Sequence, residues 1–168
     1  MSYLHLAVEN NDLASAARLL QEGADQNVAG KFGRLPIHVA ARLPDPAVLS
    51  LLLSAGASLN LKSSHGFTPL YVAAVSNNLE TLKFIIKSSG GFFDIDDPDK
   101  GGLTPLMAAV CNRCSLEVIQ LLVQNGASLN RTDSIGRRAR DWAAAKGFYE
   151  LEEALLKSDE RSMQQFLN

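Results

Sequence analysis

The sequence predicts an all-α solenoid of short helix pairs joined by projecting turns. The main observation is a nine-residue motif that recurs as Gly33–Ala41, Gly66–Ala74 and Gly102–Val110, with a degenerate copy at Gly136–Ala144 and a truncated copy at Tyr3–Val8. Equivalent positions lie 33, 33, 36 and 34 residues apart, at Tyr3, Pro36, Pro69, Pro105 and Ala139. This period indicates repeated units, which must stack because one unit alone cannot bury its apolar face.

A second motif recurs in phase with the first. It starts with two apolar residues and ends in Gly-Ala-x-x-Asn, as in Leu19–Asn27, Leu52–Asn60 and Leu122–Asn130. Two motifs in phase are much harder to obtain by chance than one. Each period is therefore expected to hold the same pair of helices.

The first helix of each unit is predicted to begin at the motif proline. Thr68 and Thr104 are good N-cap residues, and the proline after each suits the first helical position, where its missing N–H has no intrahelical partner to lose. The small pairs Ala40-Ala41 and Ala73-Ala74 allow a second helix to approach closely.

The second helix is predicted to follow a polar cap, at Asp12, Asp45, Asn78 or Ser115, with Pro46 in a first-turn position. Apolar residues then recur at helical spacing and form a buried stripe, as in Leu49, Leu52, Leu53, Ile119, Leu122 and Val123. Each helix is expected to end at a glycine in the left-handed conformation, at Gly23, Gly56 and Gly126. The polar residues that follow, such as 60–66, form a projecting turn, which we call a finger.

Two irregularities interrupt the period. About three extra residues between Pro69 and Pro105 are placed in the segment 88–97, where a loop tolerates insertion at small entropic cost, so this finger loop is expected to bulge. One extra residue near Cys111 and Cys114 lengthens the turn between two helices. Trp142 is expected to cover the apolar face at the end of the stack.

These motifs make the chain resemble ankyrin-repeat proteins. Thr68–Leu70 and Thr104–Leu106 keep the Thr-Pro-Leu of that family, whereas Leu35 replaces its threonine and Tyr71 replaces its histidine. The resemblance implies one domain of five repeats, with the first and last acting as caps, at about 1–29, 30–62, 63–98, 99–132 and 133–168. It also implies that His5 and His38 hydrogen-bond neighbouring turns.

Composition limits the class of partner and the compartment. The 168 residues are 46% apolar and 20% charged, with a formal net charge of −2, so the field of the whole molecule does not favour nucleic acid or membranes. No run of apolar residues is long enough to span a bilayer, and the first residues lack signal-peptide features. Two cysteines are too few for a disulfide framework. We expect an intracellular protein, cytoplasmic or nuclear, without membrane insertion.

The resemblance further implies a non-enzymatic protein-interaction module that uses its finger tips and inner helices. Family members include adaptors, inhibitors and effectors that pathogens deliver into host cells, and the sequence does not choose among them. Carried over by position, the concave binding surface comprises twelve residues, hereafter the predicted groove: Lys31, Phe32, Arg34, Arg42, Leu43, His65, Phe67, Lys100, Leu103, Ile135, Arg137 and Lys146.

The predicted groove is basic although the chain is acidic. Six of its members are Lys or Arg, and Glu9 is the only acidic residue beside them. Phe32, Phe67, Leu103 and Ile135 are predicted to be exposed apolar anchors, as in an interface core with a charged rim. We therefore expect a monomer that binds an acidic, partly apolar protein or peptide. Nucleic-acid binding through the same basic residues is an alternative.

No catalytic constellation or cofactor motif stands out. Cys111 and Cys114 form a CxxC pair, which leaves a metal- or redox-dependent sensor or enzyme as a second alternative. However, zinc needs about four ligands, and the nearest spare histidine is His65. The acidic residues Asp94, Asp96, Asp97 and Asp99 lack the glycine and glutamate of a calcium loop, so a solvated finger is expected there.

Overall fold

The computed structural model describes the backbone of residues 2–91 and 93–166, and the side chains of these residues up to 157. Within this part of the chain there are ten α-helices, one 3₁₀ turn at Lys31–Gly33 and no strand. The all-α prediction is confirmed. The helices are α1 Tyr3–Glu9, α2 Leu13–Gln21, α3 Pro36–Ala40, α4 Ala47–Ser54, α5 Pro69–Val75, α6 Leu79–Ser88, α7 Pro105–Cys111, α8 Leu116–Gln124, α9 Ala139–Ala145 and α10 Tyr149–Phe166.

The helices pack as consecutive pairs, and the pairs stack in chain order. Within the pairs, α1 packs on α2, α3 on α4, α5 on α6, α7 on α8 and α9 on α10. The first helices also form a continuous row in which α1, α3, α5, α7 and α9 each contact the next. Each predicted repeat range contains one pair. The exact boundaries between repeats remain a prediction.

Side-chain caps start the first helices. Thr68 Oγ1 accepts the Tyr71 N–H at 3.1 Å and Thr104 Oγ1 accepts the Met107 N–H at 3.3 Å, as predicted. Leu35 has no hydroxyl to offer at the same position of α3. There the Leu35 N–H donates to His38 Nδ1 at 3.1 Å, so one free N–H of the first turn still has a partner.

Two of the predicted second-helix caps differ from expectation. Asp12 and Ser115 accept the N–H groups of Ser15 and Val118, as predicted. Pro46 is the N-cap residue of α4, one position before the first turn, and Asp45 accepts the N–H of the first helical residue at 2.9 Å. Asn78 makes no side-chain cap bond within α6; its amide nitrogen instead donates to the Arg42 carbonyl of the preceding unit.

The core is continuous from the first pair to the last. Its largest fully buried side chains are Leu4, Ile37, Leu49, Leu52, Leu70, Leu82, Ile85, Leu106, Met107 and Leu122. The alanine pairs at 40–41 and 73–74 are fully buried, which confirms the predicted close helix approach. At the C-terminal end α10 packs on α9 and buries Leu155, while Trp142 is half-buried against the same core.

The second helices end as predicted. Gly23, Gly56 and Gly126 have φ values of 89°, 91° and 93°, a region that glycine reaches without a Cβ clash. In each case the following alanine N–H returns to a carbonyl of the last helical turn. The chain therefore leaves every such helix in the same direction, which gives the fingers that follow a common orientation.

Candidate functional site

The fingers are closed by a repeated hydrogen-bond pattern. In the finger of the third unit, the Ser63 N–H donates to the Phe67 carbonyl, and the equivalent pairs close the other fingers. Asp99 Oδ1 accepts the N–H groups of Gly101 and Leu103 at 2.8 and 2.9 Å. Asp133 makes the same two bonds one unit later. Each finger tip is thus held by its own base.

Adjacent fingers are joined by backbone hydrogen bonds. Ser64 N–H donates to the Phe32 carbonyl at 3.1 Å, Lys100 N–H to the His65 carbonyl at 3.0 Å, and Ser134 N–H to the Gly101 carbonyl at 3.1 Å. The four fingers therefore form one ladder, and their tips make a continuous surface.

A polar side chain on most first helices braces a finger. His5 Nε2 lies 2.9 Å from the Arg34 carbonyl, His38 Nε2 lies 2.9 Å from the Phe67 carbonyl, and the Tyr71 hydroxyl donates to Asp99 Oδ2 at 3.0 Å. Trp142 Nε1 donates to Asp133 Oδ2 at 2.9 Å within the last unit. The structural role predicted for His5 and His38 is confirmed.

The bonds around His38 fix its tautomer. Its Nδ1 accepts the Leu35 N–H, so Nε2 carries the proton and donates to the carbonyls of Phe67 and Leu61. Burial, more than any other cause, lowers the pKa of His38. This histidine is therefore a neutral brace.

The predicted groove separates into exposed and half-buried members. The exposed side chains are Lys31, Phe32, Arg42, His65, Lys100, Ile135, Arg137 and Lys146, and the half-buried ones are Arg34, Leu43, Phe67 and Leu103. The prediction that Phe67 and Leu103 are exposed anchors is wrong, because both pack against the core. Only Phe32 and Ile135, with 52% and 63% of their surface exposed, fit that description.

Phe67 belongs to an aromatic row that sequence reasoning missed. Its ring stacks on Tyr71 at 4.7 Å and on His65 at 5.6 Å between centroids, and the Phe32 ring meets His65 edge-on at 5.6 Å. Stacking of this kind stabilises beyond burial alone. The row runs from a buried helix to the finger tips, and no fixed spacing in the sequence indicates it.

Phe32 sits at the exposed end of this row in an unusual backbone conformation. Its φ and ψ are 59° and 28°, the left-handed region, where a bulky side chain is a genuine outlier. Lys31 Nζ lies 5.0 Å from the centroid of its ring, and the Arg34 guanidinium carbon lies 6.0 Å away. The turn therefore presents an aromatic face beside two cations.

The six basic residues of the predicted groove differ from most other cations of the chain. Among the described residues, none of the six lies within 4.0 Å of a carboxylate. Seven cations elsewhere do form ion pairs: Arg18, Lys62, Lys83, Arg131, Arg138, Arg140 and Lys157. In the described part of the chain, most cations outside the predicted groove are thus in ion pairs, and those of the predicted groove are not.

The two cysteines are unbonded thiols. Cys114 is buried and its Sγ lies 3.3 Å from the Ala74 carbonyl, while Cys111 is half-buried at the end of α7. Burial is the main cause that raises the pKa of both thiols, which keeps them protonated. The extra residue in this turn is confirmed, and it carries Cys114 onto the carbonyl end of α5.

The carboxylates of the acidic segment have protein partners. Asp94 accepts the Asp96 N–H, Asp97 pairs with Lys62, and Asp99 braces its finger. Asp96 is only 7% exposed and accepts the Ser128 N–H of the next unit. The prediction of a solvated finger is therefore wrong for this residue. The insertion also contains residue 92, which lies outside the described residues.

Neither metal chemistry nor membrane spanning is indicated in the described part of the chain. It brings together no group of three or more His, Cys, Asp or Glu side chains arranged to hold a metal ion. None of its helices combines the length and apolarity needed to cross a bilayer.

Comparison with known families agrees with the architecture. A family model described as ankyrin repeats (3 copies) matches residues 4–99 and 90–165. The chain belongs to the ankyrin-repeat family. Ankyrin repeats are generally protein-interaction modules without enzymatic activity, and they bind protein partners.

The similar curated proteins are much longer than this ankyrin-repeat chain. Neurogenic locus notch homolog protein 1 of Cricetulus griseus and that of Mus musculus are each 32% identical to it over 156 residues, and the Homo sapiens protein is 31% identical. These alignments cover 92% of this chain and 5% of each relative. The similarity thus concerns a small segment of those proteins.

Proposed function

We propose that this ankyrin-repeat chain binds an acidic segment of a partner protein, or an acidic peptide, through the predicted groove. The observation that carries the proposal is that none of the six basic side chains of the predicted groove forms an ion pair among the described residues, while Phe32 and Ile135 of the same predicted groove are exposed. Complementary charge speeds encounter and orients the partner, and an exposed aromatic side chain supplies apolar area at low entropic cost.

The finger ladder supports this proposal because it makes the surface rigid. Each tip is held by bonds to its own base, to the next finger and, in most units, to a first helix. A surface ordered in advance loses little conformational entropy on binding, so more of the contact energy appears as affinity.

In this proposal the chain acts as a monomer, inside the cell, in the cytoplasm or nucleus. It serves as an adaptor, an inhibitor or an effector, and it needs neither a cofactor nor a catalytic step. Binding alone, by bringing a partner close or by covering its surface, then accounts for the function.

Selection from a random peptide-display library tests the proposal. We expect enriched peptides to carry Asp or Glu beside apolar residues, and we expect the enrichment to disappear when Lys31, Lys100 and Arg137 are changed to Glu. The matched control changes Arg18, Lys87 and Lys157 of the second helices to Glu, which alters net charge equally and should leave selection intact. Enrichment of basic or uncharged peptides, or equal loss in both variants, would contradict the proposal.

A further inference from the structure

A small cleft lies between the second and third units. It is lined by Arg34 and Arg42 of the second unit and by Phe67, Val72 and Val75 of the third, with a volume of about 120 Å³. Sites for drug-sized ligands or cofactors usually measure about 300–1,000 Å³. The cleft therefore suits one or two side chains of a larger molecule.

The two arginines are held at their main chains, and their guanidinium groups form no ion pair with any described carboxylate. The Arg34 carbonyl accepts the Gly30 N–H at 2.8 Å and lies 2.9 Å from His5 Nε2, while the Arg42 carbonyl accepts the Asn78 amide of the third unit. Neither guanidinium is within ion-pair distance of a carboxylate among the described residues. Their positions are thus fixed by backbone bonds, and their charges remain available.

The apolar residues that line the cleft indicate which kind of side chain would lie beside an anion bound to the two arginines. Val72, Val75 and Phe67 offer apolar surface, and Val75 remains partly exposed. His38 lies at the same cleft, but both of its ring nitrogens already bond to backbone groups. Positive charge in the cleft therefore comes from the two arginines, next to a floor that favours a short aliphatic side chain.

We infer that this cleft is the specificity subsite of the groove and that it takes one oxyanion side chain of an extended peptide together with an adjacent apolar residue. The oxyanion lies between Arg34 and Arg42, where guanidinium groups can pair with it through two hydrogen bonds each. The apolar neighbour covers Val72 and Val75. The inference rests on the proposed function and names the ligand chemistry at one place in that surface.

A synthetic peptide of glutamates interrupted by single leucines serves as the probe. In an NMR titration of the full chain we expect the methyl resonances of Val72 and Val75 to move. Arg34→Gln and Arg42→Gln should each weaken binding about tenfold, as expected for loss of one charge-assisted pair. A glutamine version of the peptide should bind equally weakly to all variants, and a phosphoserine version shows whether a phosphate can supply the oxyanion.

The controls separate this subsite from the groove as a whole. Lys87→Gln, on the second helix of the third unit, should leave the affinity for the glutamate peptide unchanged. If Lys100→Gln and Lys146→Gln weaken binding while Arg34→Gln and Arg42→Gln do not, the subsite is wrong and the proposed function stands. If the peptide does not bind, or if no substitution in the predicted groove changes its affinity, both the subsite and the proposed function are wrong. Arg42 is exposed, so Arg42→Gln carries the test even if Arg34→Gln does not fold.

Discussion

Three finger glycines lie where one finger meets the next. Gly33, Gly66 and Gly102 all have positive φ, and a Cβ added at Gly102 would lie 2.7 Å from the Ser134 backbone nitrogen. Gly136 in the last finger has the same φ of 80°, yet an added Cβ there meets no described atom within 4 Å. Gly102 and Gly136 therefore need the same left-handed backbone conformation, but only Gly102 lies against a neighbouring finger.

This difference separates backbone strain from steric contact. Gly136→Ala should lower the free energy of unfolding by about 1–2 kcal/mol, the cost of a left-handed alanine. Gly102→Ala should lower it by about 1–3 kcal/mol more, because the Ser134 backbone must move. Chemical denaturation measures both changes. Equal losses would mean that the fingers do not touch in solution.

The buried side chain of His38 should make stability depend on pH. Burial lowers the pKa of His38 in the folded chain, so below the ordinary value of 6.5 the unfolded chain binds more protons. The free energy of unfolding should therefore fall as pH drops from 6.5 towards the lower folded pKa. His38→Gln should remove this part of the pH dependence, whereas the change of exposed His65 to Gln should keep it. Thermal melts between about pH 7.5 and 5.5 measure this pH dependence, since the ordinary histidine pKa of about 6.5 lies within that range.

For individual residues, the sequence predicts the role of a side chain better than its exposure to solvent. The bracing role of His5 and His38 follows from their place in the motif. Phe67 was wrongly expected to be exposed, because its ring packs against the core and stacks on Tyr71, and the motif does not show which way this ring faces. The left-handed conformation of Phe32 also follows from the fold, since nothing in the residue favours it.

Between helices, a hydroxyl joins α6 to the preceding unit. Thr81 is fully buried, and its Oγ1 donates to the Leu43 carbonyl at 2.6 Å and lies 3.2 Å from the Pro44 carbonyl. These carbonyls belong to the turn between α3 and α4. A threonine inside an amphipathic helix gives no sign of such a bond, so this link could not be predicted.

The role of this link can be measured with two substitutions of one side chain. Thr81→Val keeps the shape but leaves the Leu43 carbonyl without its hydroxyl donor, so it should lower the free energy of unfolding by about 1–3 kcal/mol. Thr81→Ser keeps the hydroxyl and loses a methyl group, so it should lower it by about 1 kcal/mol. Urea denaturation compares them. A valine variant as stable as the unchanged chain would show that the bond contributes little.

The helices themselves were largely predictable because each has a local signal. Threonine caps, N-terminal prolines and terminal glycines act over a few residues, and the structure places them as expected. The exceptions are Pro46, which is the N-cap residue of α4 itself, and one cap that bonds across units. Asn78 has the right residue type for a cap, but its amide satisfies the Arg42 carbonyl of the preceding unit.

For the whole molecule, the arrangement of charge matters more than its sum. A net charge of −2 gives little field, yet among the described residues the cations of the predicted groove form no ion pair and many of the others do. That the groove residues share one concave face is implied by the family resemblance and stays a prediction. Which carboxylates reach which cations depends on side-chain geometry, and only the structure provides it.

Stacking in chain order also determines how the molecule responds to truncation. In this fold α9 contacts α7 and α10, whereas the units from α1 to α6 bury their surfaces mainly against one another. Deletion of residues 133–168 removes α9 and α10 and exposes the apolar face of the fourth unit. Because stability in a solenoid is nearly a sum over units and their interfaces, the remaining helices should stay folded at a lower melting temperature.

Circular dichroism and amide hydrogen exchange test this expectation together. The helical signal should drop by the share of α9 and α10, amides of α3 and α5 should keep their protection, and those of α7 and α8 should exchange faster. Ala73→Asp in the full chain is the contrasting variant, since a charge between central helices disrupts two interfaces at once. If the truncated chain lost all its helical signal, the units would depend on one shared core, and nearest-neighbour stacking would not describe this protein.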